Sequence, residues 1–317
     1  MRIAIIGPGA MGCLVAACLA RIKQNSLRPQ VFILDKDNAR AAAISRNGIK
    51  VEGVAGQWRA RLSVAADAGQ IKPADLAIVC TKSYDTQAAA KRLKDLVGAG
   101  GLVLTLQNGL GNVETISEIA GEENVIGGVT NLGATLLSPG CVRYAGRGET
   151  IIGRPDGRIP AMLREIREVF NRAGLTMRIS RDIRSLIWSK LIINVGINAL
   201  TAISRLNNGR LTEFEGVHRI LKEAVTEAVK VAKRKRIKLV YDDPLSKVEA
   251  VCQATATNVS SMLADVLRRR RTEIDFINGA VVRQGRALGV KTPVNEILVD
   301  IVKTIEASYG VRVESSK

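Results

Sequence analysis

Histidine is almost missing from this chain: His218 is the only one in 317 residues. That scarcity removes several kinds of chemistry at once. There is no HExxH motif and no Cys/His cluster, so no metal site is expected, and no GxSxG, so no serine hydrolase. A His–Asp pair working on a hydroxy acid would have to use His218, which follows Glu215-Gly216-Val217 in an ordinary surface context. Aromatic residues make up only 3% of the chain, too few for base-stacking platforms. The net charge is +17, from 47 basic and 30 acidic residues, but the basic residues are spread out, with local runs only at Lys233–Lys238 and Arg268–Arg271. They read as a solvated basic surface able to steer anionic ligands, and no nucleic-acid partner is expected. Cys13, Cys18, Cys80, Cys141 and Cys252 are odd in number and lack CxxC spacing, which suits buried thiols in a reducing, cytoplasmic setting. No apolar run reaches the roughly eighteen residues of a membrane span without a polar interruption. Met1-Arg2 runs straight into strand and glycine signals with no cleavage site, so neither membrane nor export is expected.

The length favours two domains. Residues 2–7, RIAIIG, form a continuous apolar strand of the kind a parallel sheet buries on both faces. It runs into Gly7-Pro8-Gly9-Ala10-Met11-Gly12 and then the helix-like CLVAACLARI. This is GxGxxG between a strand and a helix, the setting that makes the motif informative. Gly7 permits the tight turn, Gly9 lets a pyrophosphate approach the backbone, and Gly12 allows helix to pack on strand. The second strand, QVFILD, ends at Asp35, where an acid usually accepts from the ribose 2′-OH and favours NAD. Lys36 and Arg40 stand close enough to complicate that rule. ADLAIVC (74–80) leads to Lys82, and GLVLTLQ (101–107) leads to Asn108-Gly109. Ligands bind beyond such strand ends, and that position favours a functional role for both over the alternatives of a surface charge at Lys82 and a simple turn at Asn108-Gly109. A strand, a glycine-rich passage and a hairpin around Ser138-Pro139-Gly140 follow. A helix over 161–173 and a strand over 175–180 close an N-terminal Rossmann-like dinucleotide-binding domain at residues 1–180.

From residue 181 the strands disappear. Residues 182–203, 212–236, 244–267, 272–288 and 293–309 all carry helical periodicity, so 181–317 reads as an all-helical domain and the whole as α/β. Within the first of these helices Lys190, Asn194 and Asn198 recur every four residues in an otherwise apolar run. They therefore share one face. Leaving them buried and unpaired would cost roughly 1–3 kcal/mol each, so the stripe meets polar protein groups or lines a wet pocket. Glu273 and Asp275 enter another apolar helix, where Glu273 is either a first-turn acid or a partner that tunes Lys190.

These segments together resemble the ketopantoate reductase (2-dehydropantoate 2-reductase) family. The likeness rests on GPGAMG at 7–12, TK at 81–82, QNGLGN at 107–112 and WSKLIINVGINALTAI at 188–203. NNG at 207–209, NVSSMLADV at 258–266 and RRTEIDFINGAVV at 270–282 extend it over nearly the whole chain. The resemblance implies reduction of a small 2-oxo acid, 2-dehydropantoate, in pantothenate and coenzyme A biosynthesis. It implies Lys190 as general acid, and Asn108, Asn194, Asn198, Asn208 and Ser261 as substrate contacts. Lys82, Asn108, Ala134 and Glu273 would lie around the cofactor. Family members use NADP(H), usually with a basic residue where this chain has Asp35, which leaves NAD(H) possible. A related lysine-dependent dehydrogenase acting on another 2-oxo or 3-hydroxy acid is the alternative reading. A non-enzymatic dinucleotide sensor or nucleic-acid-binding regulator is suggested only by the charge. A homodimer through the helical domain is a further expectation.

Overall fold

Strands that are apolar at every position require a sheet covered on both faces. The computed structural model, which describes residues 1–22 and 28–311, contains such a sheet. The polar loop that the sequence places before the second strand (23–29) lies, from 23 to 27, outside the described residues. Two compact units form: Met1–Gln107 with Asn112–Ile183, and Asn108–Gly111 with Arg184–Lys317.

The first unit begins β1 (Arg2–Ile6), α1 (Ala10–Ala20), β2 (Gln30–Leu34), α2 (Asn38–Asn47), β3 (Ile49–Gly53), β4 (Trp58–Ala60), β5 (Ser63–Ala65) and β6 (Ala74–Val79). It continues α3 (Thr86–Lys91), α4 (Leu93–Leu96), β7 (Val97–Thr105), α5 (Asn112–Ala120), β8 (Val125–Thr130), β9 (Gly133–Ser138), β10 (Cys141–Gly146), β11 (Thr150–Gly153), α6 (Ala161–Arg172) and β12 (Met177–Ile179). The main sheet has the order β12-β11-β8-β7-β6-β1-β2-β5, and its neighbours are parallel except β11 against β8. Alternate residues serve opposite faces. Ile3, Ile5, Leu76 and Ile78 join Leu14 of α1 and Phe170 of α6 in one core. Ala4, Ile6, Ala77 and Val79 join Leu93, Leu96 and Ile116 in the other. Each large aliphatic side chain buried this way contributes about 1.5–3 kcal/mol, which leaves no room for a polar face.

A second sheet, in the order β4-β3-β10-β9, packs on α1. Helix α1 is buried from Gly12 to Leu19 because it has sheet on both sides. The hairpin at Ser138-Pro139-Gly140 is present, with Ser138 opposite Cys141. Its parallel partner β3 has no sequence counterpart, since β3 is short and pairs with β10 far away in sequence as well as with the nearby β4. The five cysteines are unpaired, three of them buried.

The second unit holds α7 (Ile183–Ser204), α8 (Glu215–Arg234), α9 (Pro244–Ala254), α10 (Ser261–Leu267), α11 (Asn278–Leu288) and α12 (Pro293–Ala307). By length and composition α7 could cross a membrane, yet 67% of its most apolar window is buried inside the protein; it is the unit's core helix. Two expected helices are broken. The run 244–267 opens between Thr255 and Ser260, where the carbonyls of Ala256 and Asn258 accept from Gly209 and Asn208 and Ser260 caps α10 through Leu263 N–H at 3.1 Å. Small polar side chains that compete for backbone groups favour such a break. The run 272–288 becomes a short 3-10 turn, Ile274–Phe276, ahead of α11. Glu273 therefore lies outside the helix.

Helices α8 and α10 end with arginine in the left-handed region, Arg236 at φ 60° and Arg269 at φ 54°. In α8, Ile237 N–H reaches Ala232 O and Arg236 N–H reaches Lys233 O, both at 2.9 Å. Gly174 makes the same closure for α6 at φ 76°. A side chain with a Cβ is strained there and glycine is not. Arg236→Gly is expected to stabilise the protein by about 1 kcal/mol, raising the melting temperature by roughly 2 °C in calorimetry.

Candidate active site

At the end of β1 the backbone turns through Gly7 at φ +95°, where an added Cβ would sit 2.7 Å from Thr81 Cγ2. A Cβ on Gly12 would lie 2.1 Å from Gly7 O, so α1 can start this close to the strand only with glycine there. Gly9 is the N-cap of α1 and supplies no side-chain cap; the nearest atom to a Cβ built on it is 3.9 Å away. Pro8 O is the acceptor for Cys13 Sγ. The first-turn amides at Ala10 and Met11 thus stand beside open space at the positive end of a helix, and this cradle fits a pyrophosphate.

The ribose end differs from the simple acidic rule. Asp35 is 1% exposed, and Arg40 grips it with both arms, Nε to Oδ2 at 2.6 Å and Nη2 to Oδ1 at 2.5 Å. Asp37 N–H adds a third bond at 3.1 Å. The group facing outward is the Arg40 guanidinium, 34% exposed. Asp35 is already engaged. Lys36 pairs with Asp85.

Lys82 follows β6 and caps the 3-10 turn Ser83–Asp85. Gln107 was not singled out from sequence, although it ends the strand run that points to Asn108. Its Nε2 donates to Thr81 O at 3.0 Å and to Thr86 Oγ1 at 2.8 Å, and Thr86 in turn donates to Asn112 Oδ1 at 2.7 Å. This network ties together the carboxyl ends of β6 and β7. Ala134 lies on β9, opposite Tyr144.

All the other candidates fall in the helical unit. Lys190, Asn194 and Asn198 share a face of α7, half-buried at the first two and buried at the third. Burial pulls the Lys190 ammonium from 10.5 down to about 8, while the Glu273 carboxylate pulls it the other way. Glu273 itself is 5% exposed, whereas Asp275 goes to Lys303 at 2.7 Å and Arg271 at 3.6 Å. Among the described residues none bonds the Asn194 carboxamide, which is available to a ligand. Asn198 Nδ2 reaches Ser261 Oγ at 3.5 Å. One turn on, Thr201 and Ser260 hydroxyls meet at 2.6 Å and hold α10 to α7. Asn208 donates from Nδ2 to Thr255 at 2.9 Å, and its buried Oδ1 has no partner among the described residues. His218 pairs with Glu249 at 2.6 Å.

A second network was not visible in the sequence. Asn278, fully buried, donates from Nδ2 to Val195 O on α7 at 3.3 Å and to Asn295 Oδ1 at 3.0 Å. Asn295 donates to Glu227 Oε2 at 2.7 Å, and Glu227 accepts from Val294 N–H at 2.9 Å, at the start of α12. The only sequence signal was Glu227 itself, an acid on the core stripe of α8 beside Ala224, Val225 and Ala228.

An ammonium that loses its proton near pH 8 can give that proton to a developing alkoxide, and carboxamides beside it can bind a carboxylate without adding charge. No group of three or more metal-ligating side chains exists among the described residues. Because Glu273 favours the charged lysine, Glu273→Gln is expected to move the Lys190 titration below about 8. Lysine side-chain NMR reads this directly, and an unchanged titration would mean that the two groups do not feel each other.

Comparison with known proteins agrees with this geometry. A ketopantoate reductase PanE/ApbA profile matches residues 3–157, and a ketopantoate reductase PanE/ApbA C-terminal profile matches residues 182–306. The 2-dehydropantoate 2-reductase of Halobacterium salinarum is 37% identical, covering 96% of this chain and 98% of its own. That of Pyrococcus horikoshii is 36% identical, with 98% and 99% covered. Among solved structures, a PanE/ApbA family ketopantoate reductase from Ralstonia eutropha JMP134 superposes with a TM-score of 0.88 at 33% identity, over 97% of this chain and 99% of that one. A D-mandelate dehydrogenase bound to NADH and anilino(oxo)acetate superposes with a TM-score of 0.89 at 27% identity, over 98% and 100%. With both halves matched and the lysine helix in place, the chain belongs to the ketopantoate reductase PanE/ApbA family and is an NAD(P)-dependent oxidoreductase.

Proposed function

We propose that this protein reduces 2-dehydropantoate to pantoate with NADPH, and that Lys190 is the general acid. The observation that carries the reading is the ammonium brought to about 8 on a helix face it shares with two carboxamides. When bound, the nicotinamide cofactor supplies the hydride. As the carbonyl carbon is reduced, negative charge grows on its oxygen, and Lys190 gives its Nζ proton to that oxygen to leave the alcohol. Solvent returns a proton to the amine afterwards. Glu273 keeps much of the lysine protonated at neutral pH, so that the acid is in its working form. Asn194, Asn198, Asn208 and Ser261 offer neutral donors and acceptors for the substrate carboxylate and hydroxyl. Gly7, Pro8, Gly9, Ala10, Met11 and Gly12 would hold the pyrophosphate, with Lys82, Asn108, Ala134 and Glu273 as further cofactor contacts.

NADPH is favoured over NADH because Arg40 occupies Asp35. A bare carboxylate at this strand end repels a 2′-phosphate; one held by a bidentate guanidinium does not, and the guanidinium is itself a phosphate ligand. The expected outcome is turnover of 2-dehydropantoate with both cofactors, faster with NADPH, followed by loss of nicotinamide absorbance. Arg40→Ala frees Asp35 and is expected to shift the NADPH-to-NADH ratio of kcat/KM toward NADH by about tenfold or more. A folded, cofactor-binding protein that turns over a 2-oxo acid with a bulkier side group but not 2-dehydropantoate would reassign the substrate. The likeness to a D-mandelate dehydrogenase supplies that alternative.

A further inference from the structure

The chain leaves the parallel sheet at Gln107, gives Asn108–Gly111 to the helical unit, and returns at Asn112. Three contacts hold the segment. Leu110 N–H donates to Phe276 O at 2.9 Å. The Leu110 side chain packs against the hydrophobic core of the helical unit. Gly109 passes so close that an added Cβ would sit 2.4 Å from Phe276 O and 2.8 Å from Phe276 Cβ. Phe276 belongs to the turn that carries Glu273, and its own N–H donates to Glu273 O at 3.0 Å. The helical ladder of α11 resumes one residue later, with Val281 N–H on Ile277 O, which leaves the Phe276 carbonyl to Leu110.

We propose that Gly109 and Leu110 are positioning residues that dock the Asn108 segment on the Glu273 turn and so fix Asn108 and Glu273 relative to one another. The proposal rests on the reading of Asn108 and Glu273 as site residues. Only a glycine permits the approach, because position 109 combines φ +84° with the Phe276 backbone in van der Waals contact. Gly111 provides an internal control: its φ is +95°, but nothing lies within 4 Å of a Cβ built there. Alanine at either position strains the backbone, and only alanine at 109 also pushes the segment off Phe276.

The test compares Gly109→Ala, Gly111→Ala and Leu110→Ala in the full chain by amide exchange at Leu110, NMR titration of Lys190, and kcat and KM against pH. Gly109→Ala is expected to lose protection at the Leu110 amide, to displace the Lys190 titration, and to lower kcat about 30-fold or more. Leu110→Ala should show the same signature more weakly. Gly111→Ala should keep the amide protected, with kcat within about threefold of the parent. Equal losses in Gly109→Ala and Gly111→Ala would overturn the proposal, and so would lost protection with kcat and the Lys190 titration unchanged. A parent chain inactive on 2-dehydropantoate would sink the functional reading alone, because the amide exchange and the lysine titration need no substrate and still decide the docking.

Discussion

The structure depends on a lysine whose charge is expensive where it sits. An ammonium in an apolar helix loses most of its hydration, and that loss brings Lys190 from 10.5 to about 8. Without a counter-charge, a buried lysine can fall further and spend its time neutral. Glu273 opposes the shift. In the proposed reaction, burial makes the ammonium a willing donor, and the carboxylate keeps the proton on until it is needed. Neither effect alone gives an acid suited to neutral pH.

Much of the helical unit can be understood as the support for that pair. The chain abandons helix at Thr272–Ile277, and the resulting turn carries Glu273 inward while Asp275 goes outward to Lys303. Asn278 Nδ2 fixes the start of α11 to the backbone of α7 beside Asn194, and Asn295 and Glu227 carry the network on to α8, while the buried Asn278 Oδ1 has no partner among the described residues. The Thr201–Ser260 contact does similar work at the other end of the polar stripe. Buried polar networks of this sort are costly if incomplete and specify one arrangement when satisfied. Here the bonds that are made hold α11 and α10 against α7, the helix that carries Lys190, Asn194 and Asn198.

The parts legible in the sequence are those where local pattern and function coincide. Strand 2–7 followed by GPGAMG announced a parallel sheet and a glycine turn into a closely packed helix, because apolar continuity and glycine spacing are local signals. The four-residue spacing of Lys190, Asn194 and Asn198 announced one face for the same reason. What stayed hidden depends on partners remote in sequence. The small sheet requires β3 to meet β10, and nothing in IKVEG says so. Helical periodicity continues through 255–260 and 272–277, but carbonyls taken by Gly209, Asn208 and Leu110 break the helices there. At Asp35 the sequence flags Lys36 and Arg40 as complications without choosing between them; Arg40, in the first turn of α2, fills both carboxylate oxygens, while Lys36 goes to Asp85.

The most direct measurement is kcat/KM for 2-dehydropantoate reduction against pH, at saturating NADPH. If Lys190 must be protonated in the free enzyme, the rate is constant on the acid side and falls about tenfold per pH unit once the pH passes the lysine's value, near 8. A profile that stays flat into the ordinary lysine range near 10.5, or one that rises through pH 8 as the amine is freed, would contradict the assignment of Lys190 as the acid.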